Sequence, residues 1–426
     1  MRRKSRAFYL TCTVVLVLLG VLVASNLLQG EDKIQQRVTR IYTVESASFS
    51  RAMGVLLGPA ILSGNEVQAL LNGDQIFPEM LAAIRGAQKT ITFESYIYWS
   101  DSIGKEFADA LAERARAGLK VHVLLDWVGS SKTDPEQLAI MVRAGVELRR
   151  FHAPAWYNLA RMNNRTHRKV LVTDGRLGFT GGVGIADTWR GDAQDPQHWR
   201  DTHFKVEGPV VAEMQAVFVD NWLKATGKVL HGDDYFPALK SVGSYQAQMF
   251  SSSPSGGSES MQLMYLLAIT AATDSINLSS AYFVPDQVTE RTLVDAVKRG
   301  VTVRIILPGE PSDAPFVRSA SRARWGKLLE AGAQIYEYQP TMYHCKVMIV
   351  DTLLVSVGST NFDTRSFRLN DEANLNIYSA EFALAQLKIF NADLERSRQV
   401  SLDEWQRRPL PEKAYDIVAS MFGAQL

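Results

Sequence analysis

Two hydrophobic periods alternate along this chain, and the alternation occurs twice. In "LAAIRGAQKTITFESYIY", Leu81 to Tyr98, apolar residues at helical spacing give way to a polar turn and then a strand. "LLAITAATDSINLSSAYF", Leu266 to Phe283, has the same order. "FADALAERARAGLKVHVLLD", Phe107 to Asp126, predicts an amphipathic helix, a stop at Gly118 and an apolar strand. "TLVDAVKRGVTVRIILP", Thr292 to Pro308, matches it with its stop at Gly300. Strands this uniformly apolar suit a sheet covered on both faces. A third pair follows, "THRKVLVTDGRLGFTGGVG" (Thr166 to Gly184) and "YHCKVMIVDTLLVSVGSTN" (Tyr343 to Asn361). The pattern predicts an α/β protein built from an internal repeat. Its two similar halves, about 64–245 and 261–426, would each hold a mixed, largely parallel sheet flanked by helices and would pack face to face. Residues 246–260, with "SSSPSGGSES" at their centre, read as the linker.

The third pair carries basic residues where a buried strand should be apolar. Residues i and i+2 of a strand share a face. His167 therefore lies beside Lys169, and His344 beside Lys346. Asp174 precedes Gly175, a turn dipeptide, and Asp351 occupies the equivalent turn, so both aspartates are expected to hold a hairpin rather than attack a substrate. Small residues follow each returning strand, Gly181-Gly182 and Gly358-Ser359, and would let backbone amides approach a phosphate. Two carboxylates fall into register: Asp201, 34 residues after His167, and Glu372, 28 after His344. A carboxylate that accepts from one imidazole nitrogen fixes the tautomer and leaves the other nitrogen nucleophilic. Each is expected to serve its own half, with Glu372 orienting His344.

The totals narrow the class. A hydrophobic fraction of 46% and a charged fraction of 21% describe a globular protein with a substantial core. A net charge of +1 argues against a general nucleic-acid binder. No P-loop sequence is present, and the other histidines lack zinc-ligand spacing, so neither metal nor cofactor is expected. The two cysteines, Cys12 and Cys345, are too differently placed to predict a disulfide. At the N-terminus, "MRRKSR" precedes 22 uncharged residues from Ala7 to Leu28. Residues 1–30 read as a membrane anchor, with a cleaved signal peptide as the alternative. The basic flank would leave the N-terminus cytoplasmic and send the remainder across the membrane. Within a juxtamembrane segment, 31–63, the apolar run from Met53 to Leu62 is too short to span.

Two imidazoles and two ammoniums brought together about a pseudo-twofold axis would suit a phosphodiester, with one His attacking phosphorus and the other protonating the leaving alcohol. "HRKVLVTD" and "HCKVMIVD" resemble the HKD motif of the phospholipase D superfamily, and "GSTNFDTRSFRLNDEANL" (Gly358 to Leu375) resembles the second-copy signature of bacterial cardiolipin synthases. "GGVGIADTW" and "WRDTHFKVEGP" in the first copy are similar to the same family. The resemblance covers about 64–400 and implies a duplicated phospholipase D-like fold. Its catalytic set would be His167, Lys169, Asp174, His344, Lys346 and Asp351. Phosphate contacts would come from the lysines, Gly182, Ser359 and Asn361, with His167 as nucleophile. It further implies phosphatidyl transfer between membrane phospholipids, with phosphatidylglycerol as donor and no nucleic-acid partner. Phospholipase D hydrolysis and a membrane-anchored nuclease are the alternatives. Gly184 departs from the family's asparagine at this position and is expected to widen the acceptor side.

Overall fold

A computed structural model describes residues 2–28, 34, 38–153, 163–254 and 260–423. The first half contributes β1 (Leu62–Leu71), β2 (Thr90–Ser95), β3 (Lys120–Asp126), β4 (Glu147–Phe151), β5 (Arg165–Thr166), β6 (Val170–Thr173), β7 (Leu177–Gly181) and β8 (Thr202–Glu207). The second contributes β9 (Tyr245–Ser252), β10 (Ser275–Ser280), β11 (Phe283–Val284), β12 (Thr302–Pro308), β13 (Gln334–Tyr338), β14 (Lys346–Val350), β15 (Leu354–Gly358), β16 (Phe362–Asp363), β17 (Asn370–Tyr378) and β18 (Ser397–Val400).

One mixed sheet runs through both halves in the order β18-β13-β12-β10-β14-β15-β17-β9-β1-β8-β7-β6-β2-β3-β4. From the middle outward, the series β1-β8-β7-β6-β2-β3-β4 mirrors β9-β17-β15-β14-β10-β12-β13. The pseudo-twofold therefore passes near the antiparallel β1–β9 pair. Helix–strand alternation led us to expect a parallel majority. The parallel ladders are instead β2–β3–β4 and β10–β12–β13, with two-residue parallel pairs at β5–β17 and β11–β16. The hairpins that carry the basic motifs, β6–β7 and β14–β15, force the neighbouring ladders antiparallel.

Local chemistry explains the boundaries. Gly118 and Gly300 adopt φ of +92° and +96° just after the helices Ser102–Arg116 and Gln287–Lys298, a left-handed stop that favours glycine. Residues 246–252, expected in the linker, instead form most of β9, where Gln248, Met249 and Phe250 are buried. The centre of the expected linker, 255–259, lies outside the described residues. The first half of the apolar run, Met53 to Leu57, falls in the helix Ala47–Leu57, which buries Phe49, Met53 and Leu57 in the second half's core. The first helix spans Arg2–Leu28, and its side chains at 8–21 are exposed. Among the described residues, no helix is long and apolar enough to cross a membrane.

Candidate active site

Both histidines arrive at one cleft because each is held by the opposite half. β5 pairs with the start of β17, setting Thr166 opposite Asp371, and the His167 amide donates to the Asp371 carbonyl at 2.8 Å. On the other side an isolated bridge sets Tyr343 opposite Arg200, and the His344 amide donates to the Arg200 carbonyl at 2.8 Å. The residue after each anchor is a carboxylate. Glu372 therefore meets His167, with Nδ1 at 3.0 Å, and Asp201 meets His344, with Nδ1 at 2.7 Å. This corrects the expected pairing within halves: the two carboxylates serve the histidines crosswise.

The carboxylates are saturated with donors. Asp201 also accepts from the Trp189 indole at 3.0 Å and the Thr202 amide at 2.8 Å. Glu372 accepts from Asn370 at 3.1 Å and from the Ser359 hydroxyl. Burial raises both carboxyl pKa values, but the adjoining histidines, lysines and hydrogen-bond donors together outweigh it and the net shift is downward. Burial, partly offset by the carboxylates, lowers His167 to about 4 and His344 to about 3. At neutral pH each site is thus a neutral imidazole donating Nδ1–H to an ionised carboxylate, with Nε2 left basic. Lys169 is buried and lowered to about 7, and Lys346 is also lowered, mainly by desolvation.

The lysines treat their histidines differently. Lys169 Nζ donates to the His167 carbonyl at 2.8 Å, and Nε2 of His167 has no partner among the described residues. Lys346 Nζ donates to the His344 carbonyl at 2.6 Å and lies against both nitrogens of the same ring, 3.0 Å from Nδ1 and 3.2 Å from Nε2. With Nδ1–H given to Asp201, Nε2 is the ring nitrogen that can accept from that ammonium.

The expected phosphate contacts divide. Asn361 lines the cleft and its Oδ1 lacks a hydrogen-bond partner among the described residues. Ser359 and Gly182 lie instead behind the carboxylates. The Ser359 hydroxyl is committed to Glu372, and a Cβ at Gly182 would stand 2.2 Å from Asp201 Oδ1. Gly184 does not widen the cleft, because a Cβ there would lie 2.8 Å from Ile97 Cβ and 3.1 Å from the Trp189 ring. Asp174 accepts the amides of Gln88, Lys89 and Thr90, and Asp351 those of Thr273, Asp274 and Ser275. Both aspartates hold hairpins to helix–strand turns, as expected, and neither lines the cleft.

Several cleft residues escaped the sequence reading. Tyr96 stands edge-on to His167 at 5.0 Å, while Trp189 and Trp199 pack on His344 at 5.3 and 5.4 Å. Arg165 and Arg365 add guanidiniums to the lining. Arg165 precedes His167 by two, so extending the strand alternation one step back identifies it. No comparable signal marks Arg365 or the tryptophans. The cleft encloses about 220 Å³.

Comparisons with known proteins agree with this fold. The family described as "Cardiolipin synthase, PLD-like domain" matches residues 80–190 and 265–394, once in each half. Cardiolipin synthase A of Pseudomonas fluorescens is 34% identical over 88% of this chain and 77% of its own. Cardiolipin synthase 2 of Bacillus anthracis is 33% identical over 90% of this chain and 74% of its own. Among solved structures, phosphatidylserine synthase of Haemophilus influenzae superposes with a TM-score of 0.65 at 14% identity, covering 89% of this chain and 100% of that one. With one family match in each half and relatives of this identity along most of its length, the chain belongs to the cardiolipin synthase family of the phospholipase D superfamily.

Proposed function

We propose that the protein is a cardiolipin synthase that transfers a phosphatidyl group from phosphatidylglycerol to a second phospholipid through a phosphohistidine. The observation that carries this reading is the crossed pairing, which leaves two neutral, carboxylate-held imidazoles in one cleft with two lysines. His167 is assigned as nucleophile because its Nε2 is uncapped. Nε2 attacks phosphorus, the bond to the glycerol oxygen breaks, and that oxygen takes the proton that the Lys346 ammonium, 3.2 Å from His344 Nε2, passes through that nitrogen. In the second half-reaction His344 takes the proton of the incoming hydroxyl, which displaces His167 from phosphorus. Lys169, Lys346 and Asn361 would hold the non-bridging oxygens. The apolar N-terminal segment would anchor the cleft beside the lipid, on the outer face of the inner membrane.

The test is product analysis by mass spectrometry of purified protein with phosphatidylglycerol in detergent micelles and a metal chelator. Cardiolipin and free glycerol are expected. Phosphatidic acid alone would make the enzyme a hydrolase, and cleavage of single-stranded DNA with lipid untouched would overturn the lipid reading.

A further inference from the structure

The C-terminal helix, Leu410–Met421, faces the wrong way for a helix of a soluble domain. Its acids turn toward the domain: Asp416 is 1% exposed and bonds to Arg322 at 3.0 Å and to Arg408, and Glu412 pairs with Arg322 at 2.6 Å. Its apolar residues point outward. Leu410 is 78% and Met421 75% exposed, with Tyr415, Ile417, Val418 and the following Phe422 also exposed. Packing fixes this orientation, since Ala419 closes a small core with Val284 and Ala320. A contiguous exposed apolar face of this kind marks an interaction surface.

The helix packs on elements that contribute to the cleft. Val284 of β11 pairs with Asp363 of β16, which lines the cleft, and Tyr282 donates to the cleft's Asp313 at 2.6 Å. The helix Pro315–Arg322, which begins two residues after Asp313, carries the C-terminal helix on its other side through Phe316 against Tyr415 and Phe422. Arg324 lies beside Gly423 at the end of the apolar face, and Lys413 lies on the helix itself with its Nζ on a backbone carbonyl rather than a carboxylate.

We infer that this face seats on an anionic phospholipid surface and holds the cleft mouth at the headgroup level. The inference rests on the proposed lipid function. A phospholipid whose phosphate reaches His167 while its acyl chains stay in the bilayer needs a surface near the cleft that accepts hydrocarbon. The neighbouring basic residues suit the anionic headgroups around them.

Two measurements test it on the full chain. In a Cys12→Ser background, Met421→Cys carries an environment-sensitive fluorophore. Phosphatidylglycerol vesicles with nitroxide on the acyl chains are expected to quench it at least about twofold, as hydrocarbon contact requires. A label that stays in water overturns the inference, as does one shielded without vesicles by a second copy. Ile417→Glu with Met421→Glu is expected to raise KM for bilayer phosphatidylglycerol about tenfold, because each apolar side chain removed from lipid forfeits its burial. Turnover of monomeric short-chain phosphatidylglycerol is expected to stay unchanged. Equal loss on both substrates would overturn the inference. If the unmodified chain turns over neither lipid, the functional reading fails while the fluorescence still decides the docking.

Discussion

At the scale of single residues, the crossed carboxylates separate two half-reactions that act on one phosphorus. Glu372 holds His167, and Asp201 holds His344. Glu372→Gln is expected to slow phosphohistidine formation by about 10²–10⁴-fold, the usual range for a positioned acid–base partner. Asp201→Asn is expected to slow release to the acceptor more than formation of the intermediate. Rapid-quench labelling distinguishes them. Pairing within halves would exchange the two phenotypes. The pH dependence follows from the same groups. His167 is neutral, hence nucleophilic, above about 4, whereas Lys169, lowered to about 7, keeps its charge only below that value. In the free enzyme kcat/KM is therefore expected to rise through about pH 4 and fall through about pH 7. Lys169→Arg, which cannot lose its proton in this range, should flatten the upper limb.

Among the elements, the two motif hairpins act as brackets. Asp351 sits at φ +49°, a left-handed position for a non-glycine residue, and its carboxylate gathers three consecutive amides at 2.7–2.9 Å. Asp351→Ala is expected to destabilise the protein by about 2–3 kcal/mol in denaturant unfolding, the scale of lost bonds to a charged acceptor. Turnover per folded molecule should change little. Both the hairpin and this role were legible in the chain, because turn dipeptides and strand alternation are local signals. The partner of each carboxylate was not. Asp201 and Glu372 were found by comparing the halves, but register within a half carries no information about which residues meet across the pseudo-twofold. The fate of Gly184 was hidden within its own half, where Trp189, five residues on, and Ile97, just after β2, fill the space of its missing side chain. β9 looked like linker, since Ser251 and Ser252 are polar in sequence yet paired with β17.

On the scale of the whole molecule, the halves are stitched by buried ion pairs of opposite polarity. Arg200 of the first half binds Asp393 of the second at 2.9 and 3.0 Å, while Asp371 of the second lies 3.7 Å from Lys224 and 3.8 Å from Arg168 of the first. Arg200→Met is expected to cost about 3–5 kcal/mol in denaturant unfolding, since it strands a buried Asp393. Arg200→Met with Asp393→Leu should recover most of that loss. The crossed histidine pairs have a further consequence for how such a chain can change over time. Duplication ordinarily supplies a spare, so that one copy can decay while the other works. Here neither copy is a spare, because a lesion at Glu372 disarms a histidine encoded 205 residues earlier. The repeat doubles the machinery without providing redundancy, and the halves are free to diverge everywhere except at the points where each completes the other.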